Sequence, residues 1–122
     1  MFEVAFETTF CATHRLRDGE RFLEPLHGHD WRVEVVVAGP DLDTAGLLVD
    51  FERLRQHVNQ VAARFHYGDL NDHPDLQGQS PSAEALARYF FREVRREMGE
   101  AGRLLCRVRI WEAPGCSATY SE

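Results

Sequence analysis

Leu26-His27-Gly28-His29-Asp30-Trp31 stands at the head of a β-branched run, Val33 to Val37. In an extended chain, residues i and i+2 point to the same face. The imidazoles of His27 and His29 therefore leave the backbone in one direction. That gives the paired nitrogen donors that zinc or another divalent transition metal takes. A metal needs at least a third ligand, and the flanking sequence has to supply it.

Upstream, residues 2–14 alternate. Phe2, Val4, Phe6, Thr8, Phe10, Ala12 and His14 fall on one face, and Glu3, Ala5, Glu7, Thr9, Cys11 and Thr13 on the other. This pattern predicts a long, half-buried antiparallel strand. Residues 15–25 are charged, carry Gly19 and Pro25, and read as a loop. The second strand is predicted from His27 to Ala38, ending in the turn that begins at Gly39-Pro40. Two such strands make a hairpin. His14 leaves the first strand at the loop end, where His27 and His29 enter the second. A lone His14 would read as a boundary residue, but pairing the strands brings three histidines together. Three histidines with an open fourth position form a catalytic zinc arrangement.

Downstream, Phe51, Leu54, Val58, Val61 and Phe65 keep a helical stripe over residues 50–65, with Asp50 as N-cap. Residues 66–80 carry Gly68, Pro74 and Gly78 and read as a loop. A second helix is predicted over residues 81–98. Ser80 caps it, Pro81 suits its first position, and Ala83, Leu86, Ala87, Phe90 and Val94 form its buried stripe. Gly99 and Gly102 stop it. Residues 104–121 read as a third long strand broken at Pro114-Gly115, then a short fourth. Cys106, Val108 and Ile110 share a face that Glu112 continues. Spacing alone leaves Glu112 open between a surface acid at a strand end and a functional group.

The order β-β-α-α-β-β predicts an α+β fold in a single domain, residues 1–122. One four-stranded antiparallel sheet carries two helices on one face. The other face, with Phe, Val and Trp available, is expected to pack against further subunits, so an oligomer is predicted.

Composition narrows the classes. The chain of 122 residues, 43% hydrophobic and 28% charged, is that of a folded domain with a modest core. No apolar run approaches the roughly 20 residues of a membrane span, and no secretory signal pattern opens the chain. No membrane partner and a cytoplasmic location are therefore expected. The net charge of -6, from 14 basic and 20 acidic residues, speaks against nucleic acid as a partner. Every basic residue is an arginine, which excludes side-chain Schiff-base chemistry. Cys11, Cys106 and Cys116 are an odd set without C-x-x-C spacing, expected to be reduced.

The chain resembles the 6-pyruvoyl-tetrahydropterin synthase and 6-carboxytetrahydropterin synthase family. The resemblance rests on Phe10-Cys11-Ala12-Thr13-His14-Arg15-Leu16, Leu26 to Trp31, Gly46-Leu47-Leu48-Val49-Asp50-Phe51, Leu70-Asn71-Asp72, Pro81-Ser82-Ala83-Glu84-Ala85-Leu86-Ala87 and Val108 to Cys116, in the family's order. It implies the T-fold, in which subunits join their sheets into a barrel as a tetramer or hexamer, with active sites at subunit interfaces. It implies that His14, His27 and His29 bind zinc. It also implies that Glu112 anchors a pterin ring and that Ser82 and Glu84 contact the substrate. An ionised carboxylate can accept both hydrogen bonds of the pterin's amide and amine edge.

The same alignment shows a departure. The family's proton-transfer cysteine precedes the H-G-H unit by four residues, and that position is Leu23. No cysteine of this chain aligns with it. The family's Asp-His pair before the Leu-Asn motif falls on His66 and Tyr67. Three readings follow. In one, Glu24 replaces the cysteine as general base, as in family members that carry a glutamate and release 6-hydroxymethyl-7,8-dihydropterin for folate synthesis. In another, His66 with Asp69 rebuilds a proton relay in a shifted register. In the third, the chain binds pterin or metal without the standard reaction. The expected activity is a zinc-dependent lyase acting on 7,8-dihydroneopterin triphosphate with a non-standard proton-transfer group. The pathway is open between queuosine-type deazapurines, folate and biopterin.

Overall fold

The computed structural model describes residues 1–122. Strict alternation makes β1, Phe2–His14. The charged connection then folds on itself as a ribbon of β2, Arg17–Asp18, and β3, Arg21–Phe22. It turns at Gly19, whose φ of +62° suits a residue without a Cβ. The β-branched run makes β4, His27–Gly39. Helix α1, Phe51–Ala63, starts where Asp50 accepts a hydrogen bond from the Glu52 N–H. A two-residue β5, Gly68–Asp69, and two short 3-10 turns lead to α2, Ala83–Met98. Strands β6, Leu105–Ala113, and β7, Cys116–Tyr120, complete the chain. No helix is long and apolar enough to cross a membrane.

The sheet order is β5-β1-β4-β6-β7. Strands β1 and β4 pair without interruption from Phe2 opposite Gly39 to His14 opposite His27. That register sends Phe10, Ala12, Trp31, Val33, Val35 and Val37 to one face, where α1 covers β1 and α2 covers β6 and β7. Phe10 lies at the centre, with its ring centroid 6.1 Å from Trp31, 5.9 Å from Phe65 and 5.7 Å from Phe90.

The structure revises several expectations. The sheet has five strands rather than four. β5 runs parallel to β1 at Ala12 and Thr13, and two residues are too few to show a period. The 15–25 connection is a ribbon rather than a plain loop. Helix α2 begins after Ser82, whose hydroxyl accepts from the Ala85 N–H, so Ser80 is not the cap. Phe51 is half exposed rather than part of the buried stripe. A bulge between Val36 and Val37 lets Leu105, not Cys106, take the core position. The helix-free face is more polar than expected, because parity sends Phe10, Trp31, Val33, Val35 and Val37 inward. It carries the pairs Glu7–Glu34 and Thr9–Arg32, and Trp111 under the guanidinium groups of Arg32 and Arg109.

Candidate metal centre and active site

The shared end of β1 and β4 positions three imidazoles. His14 faces His27 across the strand pair, and His29 faces the small Ala12, which leaves room above it. Trp31, next on the same face, packs edge-on against His14 and His29 at 4.8 and 5.3 Å between centroids. Its indole N–H is taken by the Ala12 carbonyl at 3.2 Å. The floor of the site is thus the rim of the aromatic core. Glu112 enters from β6. The β6–β7 register slips between Trp111 and Ala113, and such a slip re-aims the side chain it contains. The Glu112 carboxylate lies 3.0 Å from His14 Nε2 and 3.6 Å from His29 Nε2.

Two of the imidazoles have their hydrogens assigned by their neighbours. His14 Nδ1 lies 2.8 Å from the Pro81 carbonyl, and His27 Nδ1 lies 2.8 Å from the Pro25 carbonyl. A carbonyl only accepts, so both Nδ1 atoms carry the hydrogen, and in the neutral rings Nε2 holds a lone pair. Those two Nε2 atoms are 3.1 Å apart. His29 Nε2 is buried without a hydrogen-bond partner. Lone pairs converging at this range repel unless a cation sits between them. Burial holds the His29 imidazole below its ordinary value. Glu112 opposes that shift, and the charges of His14 and His27 reinforce it. Around neutral pH it is in the unprotonated form a metal takes.

Zinc fits this set. The three imidazole nitrogens and the Glu112 carboxylate lie within 4.8 Å of one another. Tetrahedral zinc with bonds of about 2.0–2.1 Å sets its ligand atoms roughly 3.3–3.4 Å apart. The separations of 3.0, 3.1 and 3.6 Å bracket that value. A set dominated by imidazole favours zinc over magnesium or calcium.

Glu24 stands beside this cluster. Its carboxylate lies 3.9 Å from His27 Nε2 and accepts the Leu16 N–H at 3.0 Å. Leu23, at the family's cysteine position, is exposed. His66 and Asp69 lie elsewhere within the chain. His66 Nδ1 accepts the Cys11 N–H, on the edge of β1 away from β4, and its ring packs on the exposed Tyr67. Asp69 accepts the Asn71 N–H and starts a 3-10 turn. Ser82 caps α2, and Glu84 is exposed in its first turn. Cys11 falls on the helix-free face by alternation, opposite Asp30.

Sequence reasoning missed the groups that hold the histidines. They include two backbone carbonyls, those of Pro25 and Pro81, which no side-chain pattern reports. Ser80, first read as a helix cap, instead accepts the Arg17 N–H at 2.9 Å. Asn71 binds the backbone of Arg15, next to His14.

Comparison with known proteins identifies relatives of this chain. The chain is 27% identical over 120 residues to the 6-carboxy-5,6,7,8-tetrahydropterin synthase of Aquifex aeolicus, covering 80% of this chain and 74% of that protein. It is 28% identical over 109 residues to the dihydroneopterin monophosphate aldolase of Pyrococcus furiosus, covering 89% and 88%. The fold matches 6-pyruvoyl tetrahydropterin synthase of Caenorhabditis elegans with a TM-score of 0.86 at 23% identity, over 100% of this chain and 97% of that one. It also matches the Plasmodium vivax synthase in a form where alanine replaces a glutamate described as a catalytic residue. There the TM-score is 0.80 at 18% identity, over 99% and 97%. The model of the 6-pyruvoyl tetrahydropterin synthase family spans residues 3–122. That span takes in all three histidines, Glu24 and Glu112, and the chain belongs to this family.

Proposed function

We propose that the protein is a zinc-dependent pterin lyase acting on 7,8-dihydroneopterin triphosphate, with Glu24 as its proton-transfer group. His14, His27 and His29 would hold the ion, which when bound polarises the substrate's side-chain hydroxyl oxygens and makes their protons easier to remove. The observation that carries the reading is the Glu24 carboxylate, fixed by the Leu16 N–H and 3.9 Å from His27 Nε2. A base must stand within reach of the proton it takes. Glu112 would accept from the pterin's amide and amine edge, and Ser82 and Glu84 would complete the substrate contacts.

A single carboxylate suits side-chain cleavage. Glu24 takes the proton of the 2′-hydroxyl, the C1′–C2′ bond breaks, and its electrons enter the ring's C6–N5 imine. Glu24 then returns the proton at C1′. The products are 6-hydroxymethyl-7,8-dihydropterin and a two-carbon aldehyde bearing the triphosphate. The likeness to the Pyrococcus furiosus aldolase supports this outcome. A second reading keeps the 6-pyruvoyl or 6-carboxy product, and the likeness to the Aquifex aeolicus protein favours it. Incubating the zinc-loaded protein with dihydroneopterin triphosphate and weighing the products separates the two. The 6-hydroxymethyl product supports the first reading, and a 6-carboxy or 6-pyruvoyl product supports the second. Pterin binding without any product would leave a binding protein.

We also infer that copies assemble edge to edge. The outer edge of β1 is paired only at Ala12 and Thr13, and β7 closes the opposite side of the sheet unpaired. Unpaired strand edges are templates for joining another chain.

A further inference from the structure

We propose that Asn71 is a positioning residue of the metal centre, holding His14 in place through the backbone of Arg15. The inference rests on the zinc reading above. Ladder pairing between β1 and β4 ends at His14 opposite His27. Beyond that point the chain must find other partners for its peptide groups. The N–H groups of Arg15, Leu16 and Arg17 find them in side chains, while the Leu16 carbonyl accepts from the Leu23 N–H. The Arg15 N–H donates to Asn71 Oδ1 at 2.8 Å, and the Arg15 carbonyl accepts from Asn71 Nδ2 at 3.0 Å. The Leu16 N–H goes to Glu24 and the Arg17 N–H to Ser80.

Only a carboxamide offers one donor and one acceptor at the spacing of a peptide group. Asn71 therefore grips Arg15 as another strand would. Asn71 is itself fixed at both ends of its own peptide. Its N–H donates to Asp69 Oδ1 at 2.9 Å, and its carbonyl accepts from Gln77 Nε2 at 2.8 Å. The same segment continues to Pro81, whose carbonyl holds His14 Nδ1 at 2.8 Å. Residues 71–81 thus hold His14 twice, by its ring and by the backbone that follows it. Together the two contacts fix the direction of the Nε2 lone pair. Groups that orient a ligand in this way are commonly worth 10–100-fold in metal affinity.

The test uses the full chain and zinc alone, with affinity measured by chelator competition and geometry by the visible spectrum of the cobalt-substituted protein. Asn71→Ala removes both contacts. Asn71→Asp keeps the acceptor and loses the donor, and carries the test if the alanine variant does not fold. Gln77→Ala loosens the same segment without touching Arg15. The expected result is zinc binding weakened about 10–100-fold in Asn71→Ala, less in Asn71→Asp, with a changed cobalt spectrum. Gln77→Ala, which removes one support of Asn71 but keeps both of its contacts to Arg15, should weaken zinc binding clearly less than Asn71→Ala does. Wild-type zinc affinity and cobalt spectrum in the folded Asn71 variants would overturn the inference. So would an equal loss of zinc affinity in Gln77→Ala. A wild-type chain that takes up neither zinc nor cobalt removes the zinc reading itself, and the inference with it.

Discussion

At the residue scale, the proposed site has a part that would hold the ion and a part, Glu24, that would move protons. His14, His27 and His29 converge because strand parity sends them to one face, and that much is legible in the spacing. The resemblance makes Glu112 the pterin anchor, and spacing alone does not show how near the metal ligands it stands. Here its carboxylate lies against His14 and His29. That closeness depends on β6 pairing with β4, a contact across about 80 residues that no local pattern encodes. The orienting carbonyls of Pro25 and Pro81 were hidden because they are backbone groups, which no side-chain pattern reports. Glu24→Gln keeps the shape and an oxygen acceptor for the Leu16 N–H but removes the base. Turnover should fall by about 10²–10⁴-fold, while zinc content stays at the wild-type level. His66→Ala, read by the same turnover assay, should lose far less if Glu24 carries the proton. The reverse pattern would transfer the role to His66.

At the element scale, the segment between α1 and α2 is tied to both the site and the helices. The Tyr89 hydroxyl donates to Asp75 at 2.6 Å and accepts from Arg64 at 3.0 Å. Burial, aided by the Asp75 carboxylate, pushes the phenol up to about 12. Its folded value is above the unfolded one, so its contribution to stability is present below pH 10 and lost as pH rises toward 12. Ultraviolet titration should show one of the three tyrosines ionising late, and the Tyr89→Phe variant should lack that step. Gly102 makes a different demand. A Cβ there would collide with the Arg95 carbonyl oxygen, and a backbone atom cannot rotate away. Gly102→Ala should cost about 1–3 kcal/mol, read as a lower urea midpoint with an unchanged slope. The sequence marked Gly102 only as a helix stop. It could not show that α2 and the 3-10 turn that follows it, Gly99–Leu104, approach too closely for a side chain. Ser80 was read as the cap because Pro81 suits a first helical position, but Ser82, on the other side of the same proline, is the residue that caps α2.

At the scale of the whole molecule, the principal order of strands and helices was legible because each long element keeps its period. The two-residue strands were not, and neither was the polarity of the helix-free face, which rests on Trp31 and Trp111 pointing to opposite sides. The open edges of β1 and β7 predict a solution mass that is a multiple of 14.0 kDa by light scattering. A single 14.0 kDa species at micromolar concentration would refute edge-to-edge assembly. The metal centre is the claim on which the chemistry depends. Zinc-edge X-ray absorption on the purified protein examines it without substrate or turnover. The expected spectrum shows three imidazole nitrogens and an oxygen at about 2.0–2.2 Å, with the imidazole scattering reduced in His29→Ala. Absence of bound zinc, or a sulfur ligand near 2.3 Å, would contradict it.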